Sequence, residues 1–339
     1  MKTEKKFCMA ANLHAVGDLR YEQLPIPPLA EDEVLVKIKA CGVCGSDVGR
    51  VFAKGTYHFP TVIGHEFAGV VDHDPEGKLD GMRVVVFPIL PCFSCESCAV
   101  GSYPTCKSYD YYGSRRDGGM SEYLPVKRWN LLPLPDGISY EEGAMCEPIS
   151  VGRHAIGKLE LKKGERLLIS GAGPIGLIAG QWARKAGVGE VCYFDIDERK
   201  LAFAKSLGFS EYTEGMTVDA VLEGTGAPDA VARCLAAVRA FGRVVLMGNP
   251  AGDVPLSQNT YWHVLRKELR LIGTWNSSYN DVDNDWRESL AALADGSLDV
   301  KPLITHTYPL SRVNEAFAMM KERKEFYNKV LLIMNEEEN

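Results

Sequence analysis

Apolar and polar positions along this chain follow two different periods, and the change comes near residue 149. Before it the period is two. The run from Glu33 to Cys44, EVLVKIKACGVC, alternates as a half-buried strand does, and FAGVV at 67–71 and RVVVFP at 83–88 look alike. Gly and Pro punctuate the stretches between them, which predicts a β-rich body with many turns. From Ile149 onward, short apolar runs alternate with segments of helical spacing. RLLISGAG at 166–173 predicts a strand entering a Gly-rich turn, and PIGLIAGQWARKAG predicts a helix from Pro174. EVCYFDID at 190–197 is the next strand and ERKLAFAKSLG at 198–208 the next helix. AVLEGTG at 220–226, GRVVLMGNP at 242–250 and ELRLIGTW at 268–275 supply further strands. Strands separated by helices of about 10–15 residues predict a parallel, doubly wound sheet. The tail mixes both textures: PLITHTYPL, a helix over 311–325, a strand over 329–334 and an acidic end at Glu336 to Glu338.

The pattern thus predicts an α/β protein of two domains, with a boundary near 149 and a tail of mixed texture. At 339 residues the chain exceeds the roughly 250–300 at which a single core stops growing. Composition adds exclusions. Hydrophobic and charged contents of 46% and 24% are those of an ordinary globular chain, not of a disordered or low-complexity one. With 38 Lys and Arg against 45 Asp and Glu, the net charge of −7 gives no positive field to steer nucleic acid or an anionic membrane onto the surface. The N-terminal MKTEKKFCMAANLHAVGDL lacks the apolar stretch of a secretory signal. The most apolar window, VVVFPILPCF at 84–93, contains two prolines and is half the ~20 residues that span a bilayer. A cytoplasmic protein is expected, and there ten cysteines point to metal or catalysis rather than to disulfides.

Four of the ten lie in one short stretch. PCFSCESCAVGSYPTC places Cys92, Cys95, Cys98 and Cys106 at C-x2-C-x2-C-x7-C, in a lobe near 90–108. Four thiolates on one loop suit a closed tetrahedral zinc site. The rival is an iron–sulfur cluster, whose bacterial run closes with a shorter gap and a proline, and neither is present after Cys98 and Cys106. A second set is dispersed: Cys44 in CGVCGSD, His65 and Glu66 in GHEF, and Glu147 in CEPISVG. Thiolate, imidazole and carboxylate from separate loops match a catalytic zinc with an open position, and Asp47 is placed to hold the far side of the His65 ring. The remaining thiols, Cys8, Cys41, Cys146, Cys192 and Cys234, are read as ordinary.

The third motif is Gly171-Ala172-Gly173-Pro174-Ile175-Gly176, between a predicted strand and a predicted helix, with Asp195 nineteen residues beyond Gly176. Such a turn admits a pyrophosphate onto the positive end of the helix, and the acidic residue takes the ribose 2′-hydroxyl, which favours NAD over NADP. Arg199 and Lys200 lie nearby and blunt that preference if they face the ribose. The strand ends at Glu223 and Thr225 and at Met247 and Gly248 fall on the same carboxyl edge of the sheet.

In the order CGSD, GHE, four-cysteine lobe, EP-x-SVG-x-HA and GAGPIG, the chain resembles the zinc-dependent medium-chain dehydrogenase/reductase family over nearly its whole length, and its polyol branch most. The resemblance implies a GroES-like catalytic domain formed by 1–149 with 291–339 plus a Rossmann coenzyme domain formed by 150–290, with two zinc ions per chain, one catalytic and one structural. It implies that Cys44, His65 and Glu147 hold the catalytic ion with Glu66 as a near or exchanging ligand, and that the four-cysteine lobe holds the other. Ser46 takes the position that relays the alcohol proton, whereas Gly49 stands where the family often has a histidine. It further implies an NAD-dependent oxidation of a secondary alcohol on a polyol phosphate, giving a ketose phosphate. Arg50, six residues after Cys44, and Arg115 and Arg116 in GSRRDGG are the candidate phosphate ligands. An unphosphorylated polyol, threonine, or an NAD-binding member without turnover are the competing implications. A homodimer or homotetramer is expected, with no nucleic-acid or membrane partner.

Overall fold

The computed structural model describes residues 6–334, so the acidic end at Glu336 to Glu338 lies outside the described residues. Two compact units are present, Met1–Glu147 with Tyr279–Asn339, and Pro148–Ser278. The chain returns to the first unit at Tyr279 rather than at 291. Aromatic packing explains this: Tyr279 stacks on Phe87 at 4.3 Å, and Trp286, from the helix Asp285–Ala294, meets the same ring edge-on at 5.6 Å.

In the first unit the strand Glu33–Val43 is the centre of a seven-stranded sheet. It pairs with Glu66–His73, Tyr123–Lys127 and Lys329–Ile333, all antiparallel. Both of its edges are paired, and the expected alternation survives only at Lys37 and Lys39, the rest of the strand being buried on both faces. A separate three-stranded sheet joins the hairpin Phe7–Ala15 and Asp18–Pro25 to Thr61–Val62. Register matters at one end of the large sheet. Gly42 lies opposite Glu66 on one side and Leu331 on the other. That end therefore brings together Glu66, Lys329 and, one residue past the central strand, Cys44.

The second unit is a six-stranded parallel sheet in the order Ser210–Glu211, Glu190–Phe194, Arg166–Ser170, Val218–Glu223, Val238–Leu246, Arg270–Gly273. In chain sequence this is 3-2-1-4-5-6, the doubly wound order of dinucleotide-binding sheets, with its switch point between Arg166–Ser170 and Val218–Glu223. Leu167, Leu168, Ile169, Val221, Leu222, Val244 and Val245 are fully buried, as strands covered by helices on both faces must be. The expected helices form at Pro174–Lys185 and Glu198–Ser206. No helix among the described residues is long and apolar enough to cross a membrane.

Candidate active site

Cys44 ends the central strand region and caps the short helix Gly45–Gly49. Its Sγ accepts from the Ser46 amide at 3.5 Å while the Asp47 carboxylate reaches back to the Cys44 amide at 3.1 Å, a reciprocal cap. That cap draws Asp47 inward until it is fully buried. Its Oδ1 accepts from Arg50 Nη1 at 2.6 Å and faces His65 Nδ1 at 3.5 Å. Burial alone would raise the Asp47 pKa, but His65, Arg50 and the Cys44 amide outweigh it and bring it down to about 2. For His65 burial works against the charged form, yet Asp47 and Cys44 push its pKa well above the ordinary range.

Ligand atoms of Cys44, His65 and Glu66 lie within 4.8 Å of one another. Buried Lys329 donates from Nζ to Glu66 Oε2. Gly42 makes this pair possible: a Cβ there would sit 2.1 Å from Glu66 Oε2 and 2.9 Å from Lys329 Cε. Glu147 opens the helix Cys146–Gly157, and its Oε1 accepts from the Tyr111 hydroxyl at 3.4 Å. Burial first, then Glu66 and Asp47, raise its pKa to about 7 against the opposing pull of His65 and Lys329.

Of the four expected ligands, Glu66 lies in the compact donor set, because it starts a strand locked in register beside Gly42, while Glu147, at the start of a helix, stands outside that set with its Oε1 on the Tyr111 hydroxyl. The set fits a zinc ion. Thiol, imidazole and carboxylate donors from three separate positions converge within 4.8 Å, and buried Asp47 stands behind the His65 ring at 3.5 Å from Nδ1, the arrangement that holds a metal-binding imidazole.

The four-cysteine lobe fits a second ion. Cys92 and Cys98 Sγ are 3.9 Å apart, Cys95 and Cys98 Sγ 3.6 Å, and all four lie within 4.8 Å. A tetrahedron with Zn–S bonds of ~2.3 Å has sulfur–sulfur edges of roughly 3.8 Å. Four sulfurs this close enclose one ion and leave no room for the inorganic sulfides of a cluster. Hydrogen bonds from Ser94 bring the Cys92 thiol down to about 5, while burial and the adjoining thiols push Cys98 up to about 12. The other five cysteines are buried free thiols, and burial raises Cys8 to about 11 and Cys192 and Cys234 to about 12.

In the second unit the Gly-rich turn leaves the strand Arg166–Ser170 at the switch point. Gly176 is required by contact, since a Cβ would lie 2.0 Å from the Gly171 carbonyl oxygen. Gly173 caps the helix that Pro174 and Ile175 begin, and a Cβ there would meet nothing within 4 Å, the open face a pyrophosphate needs. Asp195 accepts from the Ala172 amide at 2.8 Å and the Asp197 amide at 2.9 Å, which fixes its carboxylate between the turn and the next loop. Arg199 folds onto Asp197, Nε to Oδ1 at 2.9 Å and Nη2 to Oδ2 at 2.8 Å. The Glu223 carboxylate is spent on its own loop, accepting from the Thr225 amide and hydroxyl and the Gly226 amide. Its carbonyl takes the amides of Met247 and Gly248 and so ties the two strand ends together.

The candidate phosphate ligands differ in their surroundings. Arg50 Nη1 also donates to Ser46 Oγ at 2.9 Å, so this guanidinium joins Ser46 to Asp47. Arg116 lies over the Tyr112 ring and pairs with Glu33 at 3.3 Å and Asp110 at 3.9 Å. Arg115 has the Tyr57 and Tyr109 rings at 4.0 and 4.7 Å and, among the described residues, no ion pair. Lys329 and Tyr111 are residues the sequence reading did not single out. A lysine heading the apolar run VLLI was the available signal for the first; Tyr111 had none.

Residues 30–136 match the alcohol dehydrogenase GroES-like domain, and residues 174–295 match the zinc-binding dehydrogenase domain. Galactitol 1-phosphate 5-dehydrogenase of Escherichia coli is 37% identical over 86% of this chain and 90% of its own length. Sorbitol dehydrogenase of Bacillus subtilis is 31% identical over 96% of both. The crystal structure of galactitol-1-phosphate dehydrogenase from Escherichia coli superposes with a TM-score of 0.89 at 34% identity, covering 96% of this chain and 99% of that one. The chain therefore belongs to the zinc-dependent medium-chain dehydrogenase/reductase family, with polyol dehydrogenases as its neighbours.

Proposed function

We propose that the protein reversibly oxidises a secondary alcohol of a polyol phosphate to a ketose phosphate with NAD, galactitol 1-phosphate being the representative substrate. The convergence of Cys44, His65 and Glu66, with Ser46 two residues from Cys44 and its amide on the Cys44 sulfur, carries this reading. Zinc bound there supplies Lewis acidity, which lowers the pKa of an alcohol oxygen, and bound NAD supplies the hydride acceptor.

The chain's own residues do the rest. Ser46 Oγ has one lone pair engaged by Arg50 and a second left to receive the substrate proton. Ser46 is exposed, so with Gly49 in the outer position its proton passes directly to water. Asp47 fixes the His65 ring, leaving Nε2 for the ion, and Lys329 occupies one oxygen of Glu66. Cys92, Cys95, Cys98 and Cys106 hold a structural ion that takes no part in chemistry. Asp195 is preset for a ribose, and the Asp197 carboxylate neutralises Arg199, which would otherwise attract a 2′-phosphate.

A second reading, an unphosphorylated polyol, is favoured by one observation: Arg50 and Arg116 already have carboxylate partners. Initial rates with NAD across galactitol 1-phosphate, galactitol, sorbitol and threonine decide between them. The phosphate ester should give the highest kcat/KM; a free polyol or threonine above it would overturn the proposal. Two zinc ions per chain are expected by elemental analysis. We place the enzyme in the reducing cytoplasm, where clustered cysteines stay available to metal, and read the open edge strand Arg270–Gly273, with Leu271 and Trp275 exposed, as the seam of a homodimer or homotetramer.

A further inference from the structure

We propose that Arg115, held between Tyr57 and Tyr109, is the residue that binds the substrate's phosphate and so sets the preference for a phosphorylated polyol. The inference rests on the polyol-phosphate reading and assigns that specificity to one of three arginines. Charge separates them. The Arg50 guanidinium is committed to buried Asp47 and to Ser46, and Arg116 to Glu33 and Asp110. Arg115 alone of the three faces no carboxylate among the described residues, and the nearby Asp110 is engaged by Arg116 and by the Tyr111 amide.

Geometry supplies the rest. The two rings lie against the guanidinium, at 4.0 and 4.7 Å. Aromatic faces stabilise the cation but accept little from its N–H groups, so the in-plane edge of the fork stays available for the paired oxygens of a phosphate. The stack is also built into the fold. The Tyr57 amide donates to the Ser114 carbonyl at 3.3 Å, and His58 Nε2 lies 3.0 Å from the Arg115 carbonyl oxygen, which pins the 55–60 loop to the 113–117 turn. From Tyr109 a step of 6.2 Å reaches Tyr111, and a step of 5.5 Å reaches the His65 ring. A continuous run of ring contacts therefore links the candidate metal ligands to Arg115, buried at His65 and Tyr111 and partly open at Tyr109, so the guanidinium stands at its outer, partly open end.

The test compares wild type with Arg115→Gln and Arg115→Lys, using galactitol 1-phosphate and galactitol as substrates and NAD in excess. Expected for Arg115→Gln is a fall of about 10- to 100-fold in the ratio of the two kcat/KM values, the loss of one charge-assisted bidentate pair, carried by KM for the phosphate ester rather than by kcat. Calorimetric titration of galactitol 1-phosphate without NAD should show the same rise in Kd, and Arg115→Lys, charged but without the fork, an intermediate one. Zinc content and melting temperature are read alongside. If Arg115→Gln does not fold, Arg115→Lys and Tyr109→Leu carry the test, each expected to lower the ratio at least threefold. Should wild type favour the phosphate ester while the folded variants keep its ratio, the assignment to Arg115 is wrong and the polyol-phosphate reading stands. No preference in wild type overturns both.

Discussion

Replacing Lys329 with methionine tests the site at its least expected member. Its ammonium and the Glu66 carboxylate are both nearly excluded from water and hydrogen-bond each other across the end of the central strand. Methionine keeps the stem's volume and removes the charge, which leaves Glu66 buried without its cation. Breaking such a pair from one side costs about 3–5 kcal/mol. The first unit has about 200 residues, and ~2.1 cal/mol/K per residue gives an unfolding entropy of ~0.4 kcal/mol/K. The transition of that unit should therefore drop by about 7–12 °C in scanning calorimetry. Glu66→Gln, which orphans the lysine, should cost a similar amount. Removing both charges relieves the mismatch, so the double variant should melt above the sum of the two single effects by several degrees. The penalty of Lys329→Met should also be larger after dialysis against a chelator, because a dication at Cys44, His65 and Glu66 otherwise balances the carboxylate. A shift below about 2 °C for Lys329→Met, or strict additivity in the cycle, would refute the claim that the pair organises Glu66.

Three further outcomes follow from other parts of the structure. Gly176→Ala forces a Cβ to within 2.0 Å of the Gly171 carbonyl, so the turn must open; NADH affinity by fluorescence titration should fall at least tenfold while both zinc ions are retained. Asp197→Ala removes the N-cap of the helix Glu198–Ser206 and should cost about 1 kcal/mol, while release of Arg199 should bring NADPH binding closer to that of NADH. Asp197 has its pKa lowered to about 2, first by Arg199, so its contribution is complete above the usual value near 3.8 and is lost as pH falls toward 2. The melting difference between wild type and Asp197→Ala should accordingly be flat from pH 5 to 7 and shrink below pH 4. Cys106→Ser leaves three thiolates in the lobe; zinc should fall to one per chain, with hydrogen exchange rising across 92–106 and not in 166–194.

What could be read from the sequence was whatever depends on local order. Period-two runs located Glu33–Val43 and Arg83–Val86, and the spacing of glycines after RLLIS located the turn at the sheet's switch point, because strand, turn and helix are neighbours in the chain. The four cysteines are likewise adjacent, so their ligand geometry is nearly encoded by spacing. The partners of Glu66 are not. Lys329 is 263 residues away, and its contact depends on a register in which Gly42 is flanked by both strands. The family resemblance put Glu147 among the ligands and Glu66 beside them, since nothing local tells which of two carboxylates lies against Cys44 and His65. Register is what sets Glu66 there, opposite the side-chain-free Gly42 and with an ammonium behind one of its oxygens. The same logic governs the arginines. Arg50, Arg115 and Arg116 carry equal charge in the sequence, and only the placement of Asp47, Glu33 and Asp110 shows which charge is already compensated. Specificity in this site thus resides in the pairing of charged groups, which sequence composition counts but does not pair.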